Sequence, residues 1–79
     1  MELRHGDEHY RTRPLEDNSD GFAGLELRRE VRGKSETVAR VIFWDAVGQY
    51  YVNTFNDVDL PVKVMEAFIH ATKDHVGIA

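Results

Sequence analysis

The chain contains no cysteine, so no disulfide can staple it, and thiolate zinc sites and thiol chemistry are excluded. Long apolar runs are missing as well. The longest is Val41 to Trp44, far short of the roughly 20 residues that a membrane-spanning helix needs. The opening stretch, MELRHGDEHYRTRP, lacks the apolar centre of a secretory signal. These absences lead to the expectation of a cytoplasmic protein with no membrane segment. Serine occurs only at Ser19 and Ser35, both among turn formers and neither in a nucleophile-elbow context. No glycine loop suited to phosphate is present, because Gly21 and Gly24 precede a strand pattern rather than a helix. With no set of nucleophile, base and orienting group, neither enzyme activity nor a cofactor is expected.

An excess of basic charge is also absent, since 10 Lys and Arg stand against 14 Asp and Glu for a net charge of −4. Phosphate attraction grows with clustered Lys and Arg, so the total speaks against a nucleic-acid partner and leaves only local clusters to be weighed. The negative charge gathers early: residues 1–21 hold six carboxylates against Arg4, Arg11 and Arg13. Those residues show neither helical nor alternating periodicity, and they end in the loop-forming run Asp17-Asn18-Ser19-Asp20-Gly21. A flexible or draped polar arm over residues 1–21 is expected, followed by a single domain over residues 22–79. A domain that short buries only about 60% of its unfolded surface and often gains stability by self-association.

From Gly24 onward the pattern is clear. Leu25 to Arg32 alternates apolar and charged residues, as a strand with one buried face does. Gly33-Lys34-Ser35 reads as a turn. Thr37 to Trp44 is β-branched and aromatic on both faces, which suits a central strand. Asp45 to Gly48 forms a second turn and Gln49 to Phe55 a third strand. A helix follows, with Asp59 as its expected N-cap, Pro61 in its first turn and Gly77 just past its end. Over residues 60–76 the polar side chains Lys63, Glu66, His70, Lys73 and Asp74 share one narrow arc. The apolar arc is far wider than the stripe that a helix on a sheet requires. The expected fold is therefore α+β, a three-stranded antiparallel β-meander packed against one C-terminal α-helix (β-β-β-α), with a polar N-terminal arm. This order is similar, in topology alone, to the single-stranded-DNA-binding transcriptional coactivators built from a curved sheet and one helix, and no residue role follows from the likeness.

Register assigns the faces. Placing Arg32 opposite Glu36 sets Leu27 against Val41 and Leu25 against Phe43. The second turn sets Phe43 against Tyr50 and Val41 against Val52. The helix is then expected to cover Leu25, Leu27, Val31, Ala39, Val41, Phe43, Tyr50 and Val52. The other face carries Val38, Ile42, Trp44, Tyr51 and Phe55, with Arg28, Arg32 and Arg40 beside them. That is more apolar surface than a monomer normally leaves open. The expected function is a non-enzymatic, self-associating interaction module, forming a homodimer through Val38, Ile42, Trp44, Tyr51, Phe55, Met65 and Ile69. The alternative is single-stranded nucleic-acid binding through Arg28, Arg32, Arg40, Trp44, Tyr51 and Phe55, by stacking beside cationic groups.

The histidines complete the reading. His5 and His9 are spaced i, i+4, but Gly6 between them and the lack of periodicity argue against the rigid frame a metal site needs, so no metal is expected. His70 belongs to the helix's polar arc. His75 falls in the apolar arc near the helix C-terminus, where a structural role is expected.

Overall fold

A computed structural model describes residues 1–77. The chain forms β1 (Glu2–His5), β2 (Glu8–Asp17), β3 (Phe22–Val31), β4 (Lys34–Trp44), β5 (Gln49–Thr54) and α1 (Val62–Val76). The strands make one antiparallel sheet in chain order, β1-β2-β3-β4-β5. The α+β class, the antiparallel meander and the single C-terminal helix agree with expectation. The strand number does not: there are five strands, not three.

The two additional strands come from residues 1–21, expected to be an arm. All ten residues of β2 pair with β3, from Glu8 opposite Val31 to Asp17 opposite Phe22. The run Asp17 to Gly21, correctly read as a loop, is the hairpin turn between them. The Asp17 carboxylate accepts hydrogen bonds from the Ser19 and Asp20 N–H groups at 2.9 and 3.1 Å, and Gly21 takes a φ of +72°. β2 hides from a search for alternation because Tyr10 alone among its side chains is fully buried.

The β4–β5 register is as expected, with Phe43 opposite Tyr50 and Val41 opposite Val52. The β3–β4 register lies two residues from expectation: Leu25 meets Val41 and Leu27 meets Ala39. A tighter turn is the cause. Arg32 and Gly33 both adopt positive φ, +52° and +81°, so Val31 pairs directly with Lys34. Such a two-residue turn matches the twist of the strands it joins.

A bulge follows between Leu27 and Arg28, where the pairing steps from Ala39 to Thr37. The skipped residue, Val38, is 0% exposed and belongs to the core beneath the helix. Strict alternation places it on the other face, and the bulge is what turns it inward.

That core consists of Tyr10, Leu25, Leu27, Val38, Ala39 and Val41 from the sheet and Val64 and Phe68 from α1. Met1, Leu3, Val58, Leu60, Met65 and Ile69 pack around it. The wide apolar arc of the helix thus belongs to a core that also takes in residues of β1, β2 and the residue 55–61 connection. Those partners were not expected beside it, and Met65 and Ile69 are partly buried against the chain's own core. The helix also begins later than expected. Pro61, not Asp59, is the N-cap, and no side chain caps the first turn. Gly77 closes the other end in the left-handed conformation, as expected, its N–H bonding the Lys73 carbonyl. His75 is exposed rather than part of the buried stripe.

Length sets how much of the sheet is covered. Eleven residues of β4 extend about 36 Å at 3.3 Å each, whereas fifteen helical residues span about 22 Å. The far end of the β3–β4 hairpin therefore projects beyond the helix, and the molecule measures 39 × 21 × 18 Å.

Candidate functional site

Among the described residues, none forms a layer over the face of the sheet away from α1. Because directly paired residues share a face, the register lays its side chains out in rows across the strands. Arg4, His9, Glu30 and Ser35 form one row, and Glu2, Arg11, Arg28 and Thr37 the next. Arg13, Glu26, Arg40 and Asn53 form the third. Leu15, Gly24, Ile42 and Tyr51 follow, then Asp17, Phe22, Trp44 and Gln49. Half of the face is cationic and the adjoining half is apolar and aromatic.

Five arginines, Arg4, Arg11, Arg13, Arg28 and Arg40, share this face with three glutamates. Asp17, at its margin, folds its carboxylate into its own turn. Since the chain has 10 basic and 14 acidic residues, and Asp17 is a fourth carboxylate on this face, the rest of the molecule holds five basic side chains against ten carboxylates. An acidic protein has thus segregated a locally positive surface onto one face.

Within the cationic half, Glu26 Oε1 accepts from Arg13 Nη2 at 2.9 Å, Thr37 Oγ1 at 3.1 Å and Arg28 Nη1 at 3.4 Å. Arg28 also donates to Thr37 Oγ1 and Ser35 Oγ, so Glu26 and the two hydroxyls hold these guanidinium groups in place. Arg4, Arg11 and Arg40 form no ion pair among the described residues. The Arg40 guanidinium lies over the Phe55 ring at 5.9 Å, and its buried Nε has no hydrogen-bond partner among those residues. In the aromatic half, Phe22 and Trp44 meet edge to face at 5.1 Å, and Tyr51 is 43% exposed.

Of the residues expected on this surface, Trp44, Tyr51, Phe55, Arg28 and Arg40 are there. Val38 is not, being in the helix-side core. Ile42 is on the face but only 1% exposed, closed over by its neighbours. Arg32 sits in the β3–β4 turn, where its exposed side chain approaches Asp7 at 4.0 Å. Arg4, Arg11, Arg13 and Phe22 were missed. For the arginines a weak signal existed: charge recurs at the alternate positions 11 and 13, beside the β-formers Tyr10 and Thr12.

The helix-side face carries a second polar cluster beyond the helix. The Arg29 guanidinium bridges Glu36 at 2.8 Å and Glu8 at 3.4 Å. Tyr10, 0% exposed, donates its hydroxyl to Glu8 Oε1 at 2.7 Å. Burial, followed by the Glu8 hydrogen bond and charge, pushes the Tyr10 hydroxyl up to about 12, while Arg29 acts the other way. An open cleft of about 640 Å³ at the hairpin tip is lined by Arg29, Val31, Arg32, Lys34, Ser35 and Glu36. It shares none of the exposed aromatics.

His5 pairs with Glu8 and His9 with Arg4, so the two imidazoles leave the sheet on opposite faces and cannot converge on one ion. No group of three or more His, Asp or Glu suited to a metal occurs among the described residues. His70 is exposed and lies 3.4 Å from Asp74, one helical turn on. No helix among the described residues is long and apolar enough to cross a membrane. Comparison with protein-family models, with curated proteins and with solved structures finds no match to this chain.

Proposed function

We propose that the open sheet face binds single-stranded nucleic acid. One observation carries this reading: β1 and β2 add Arg4, Arg11 and Arg13 to the face that already holds Arg28, Arg40, Trp44, Tyr51 and Phe55. Cationic side chains track a phosphate backbone, and neighbouring aromatic rings take unpaired bases by stacking, at about 1–3 kcal/mol per base. A duplex offers no unstacked base to such a surface. The open, five-stranded platform suits a splayed single strand. The three arginines without an ion pair are the ones that gain most from phosphate.

The test uses Trp44, the chain's single tryptophan, as reporter. Titration with a single-stranded oligonucleotide at low salt should change its fluorescence, and affinity should fall linearly on a log–log salt plot. Arg11→Ala and Arg40→Ala should each flatten that slope by about 0.7, one phosphate contact on a single strand. Lys63→Ala, on the exposed side of the helix, should leave it unchanged. A silent Trp44, salt-insensitive binding, or a Lys63→Ala loss as large as that of Arg11→Ala would overturn the proposal.

Self-association is the second reading. It is favoured by the exposed apolar side chains Val47, Tyr51 and Val52, which gather in and beside β5. Face-to-face pairing through the open sheet is disfavoured in any arrangement that brings the two cationic halves together.

A further inference from the structure

The two edges of the sheet are built differently. At one edge, β1 covers only Glu8 to Arg11 of β2, and the uncovered part of β2 carries Arg13, Pro14, Glu16 and Asp17. Charge and proline are the usual means by which a protein prevents another strand from adding to an edge. At the other edge, β5 reads Gln-Tyr-Tyr-Val-Asn-Thr. Among the described residues it is the one strand without a charged residue, in a chain that is 30% charged. It has no proline, is rich in β-forming residues, and leaves Tyr51 and Val52 43% and 48% exposed. An edge left unguarded in this way is open to pairing with another strand.

We infer that β5 pairs antiparallel with β5 of a second copy of this chain, about a two-fold axis through Val52. The backbone fixes the register. Phe55 N–H donates to the Val38 carbonyl in β4 at 2.9 Å, so by strand alternation Asn53, Tyr51 and Gln49 also turn their backbone groups toward β4. Tyr50, Val52 and Thr54 turn theirs outward, and among the described residues none of these backbone groups has a hydrogen-bond partner outside the ladder. Centring the axis on Val52 sets Val52 opposite its own copy and Tyr50 opposite Thr54, which engages all three outward residues on both chains. Centring it on Tyr51 leaves Thr54 unpaired. Such an interface is isologous and self-complementary. The charged and proline-bearing opposite edge prevents growth beyond two copies, so the assembly closes as a dimer rather than continuing as a fibre. A two-fold axis perpendicular to the sheet keeps both helices on one side. The two arginine faces become contiguous on the other, although the pairing stands whether or not they bind a strand.

Sedimentation equilibrium of the intact chain tests this, with a mass approaching twice 9.1 kDa as the expected result. Val52→Pro removes an N–H that the isolated chain does not use, and proline with its nitrogen facing outward is tolerated on an edge strand. It should weaken association at least about tenfold while far-UV circular dichroism stays unchanged. Val52→Lys keeps the N–H but places like charges opposite each other across the axis, and should dissociate the dimer with a loss that salt relieves. Amide exchange on the wild-type chain reads the edge directly: Tyr50, Val52 and Thr54 should be protected in the dimer and should exchange rapidly on dilution to monomer. A monomeric wild-type chain, a dimer that survives both substitutions, or unprotected amides at these three positions in the dimer would overturn the inference.

Discussion

Replacing Gly24 by alanine should damage this protein more than replacing any exposed glycine. Gly24 is buried in β3, opposite Ile42 in β4 and Leu15 in β2. A Cβ built there would lie 2.0 Å from the Val41 carbonyl oxygen, 2.9 Å from Ile42 Cα and 3.0 Å from the Val41 carbonyl carbon. All three are backbone atoms, so no side chain can swing aside to make room. Ordinary carbon–oxygen contact begins near 3.3 Å, and β4 would have to retreat by about 1 Å. Overpacking of this kind costs about 1–3 kcal/mol. Each ladder hydrogen bond lost as the strands part adds about 0.5–1.5 kcal/mol. The combined loss is about 3 kcal/mol or more, a large share of the roughly 4–12 kcal/mol available to a chain this small. Urea unfolding measures it: with a slope of about 1 kcal/mol/M, the midpoint should fall by about 3 M or more. Gly33→Ala is the comparison. Nothing lies within 4 Å of its added Cβ, and only its φ of +81° opposes the change, at about 1–2 kcal/mol. A Gly24→Ala midpoint no lower than that of Gly33→Ala would refute the close approach of β3 and β4.

Alkaline pH supplies another test. Because Tyr10 titrates at about 12 rather than 10, the unfolded chain loses this proton first. Its contribution, at most about 3 kcal/mol, is fully present below pH 10 and is lost as pH rises toward 12. Urea midpoints at pH 9 and pH 11.5 should show this fall, and Tyr10→Phe should abolish it; an equal fall in the variant would assign the effect to other groups. Phe68→Ala, which empties the centre of the helix–sheet core, should cost about 3–5 kcal/mol by the same assay. A cost below 1 kcal/mol would mean that the helix does not carry the core.

Legibility in the sequence followed burial. β3 and β4 announced themselves because the helix buries one of their faces, so apolar side chains had to recur at every second position. β2 runs antiparallel to β3 over ten residues but buries only Tyr10 completely, and no alternation had to be encoded there. Backbone pairing depends little on side chains, so a polar segment such as residues 8–17 becomes a strand when a neighbour offers its N–H and carbonyl groups. Arg4, Arg11 and Arg13 went unrecognised for the same reason: three scattered charges in an apparent arm become a patch only once two strands place them beside Arg28 and Arg40. Trp44, Tyr51 and Phe55 were legible because they belong to strongly patterned strands. Val38 was misplaced because a bulge leaves no mark in hydrophobic periodicity.

By itself the sequence determined the α+β class, β3 through β5, the loop at residues 17–21, the β4–β5 register and the glycine that ends the helix. Each is a local matter, set by period-2 hydrophobicity, by turn chemistry or by the left-handed conformation glycine accepts. Tertiary structure alone decided the strand count, the bulge that sends Val38 inward and the five-arginine face. These depend on which distant segments pair and in what register, because the free energy of a sheet resides in contacts between strands rather than within any one of them.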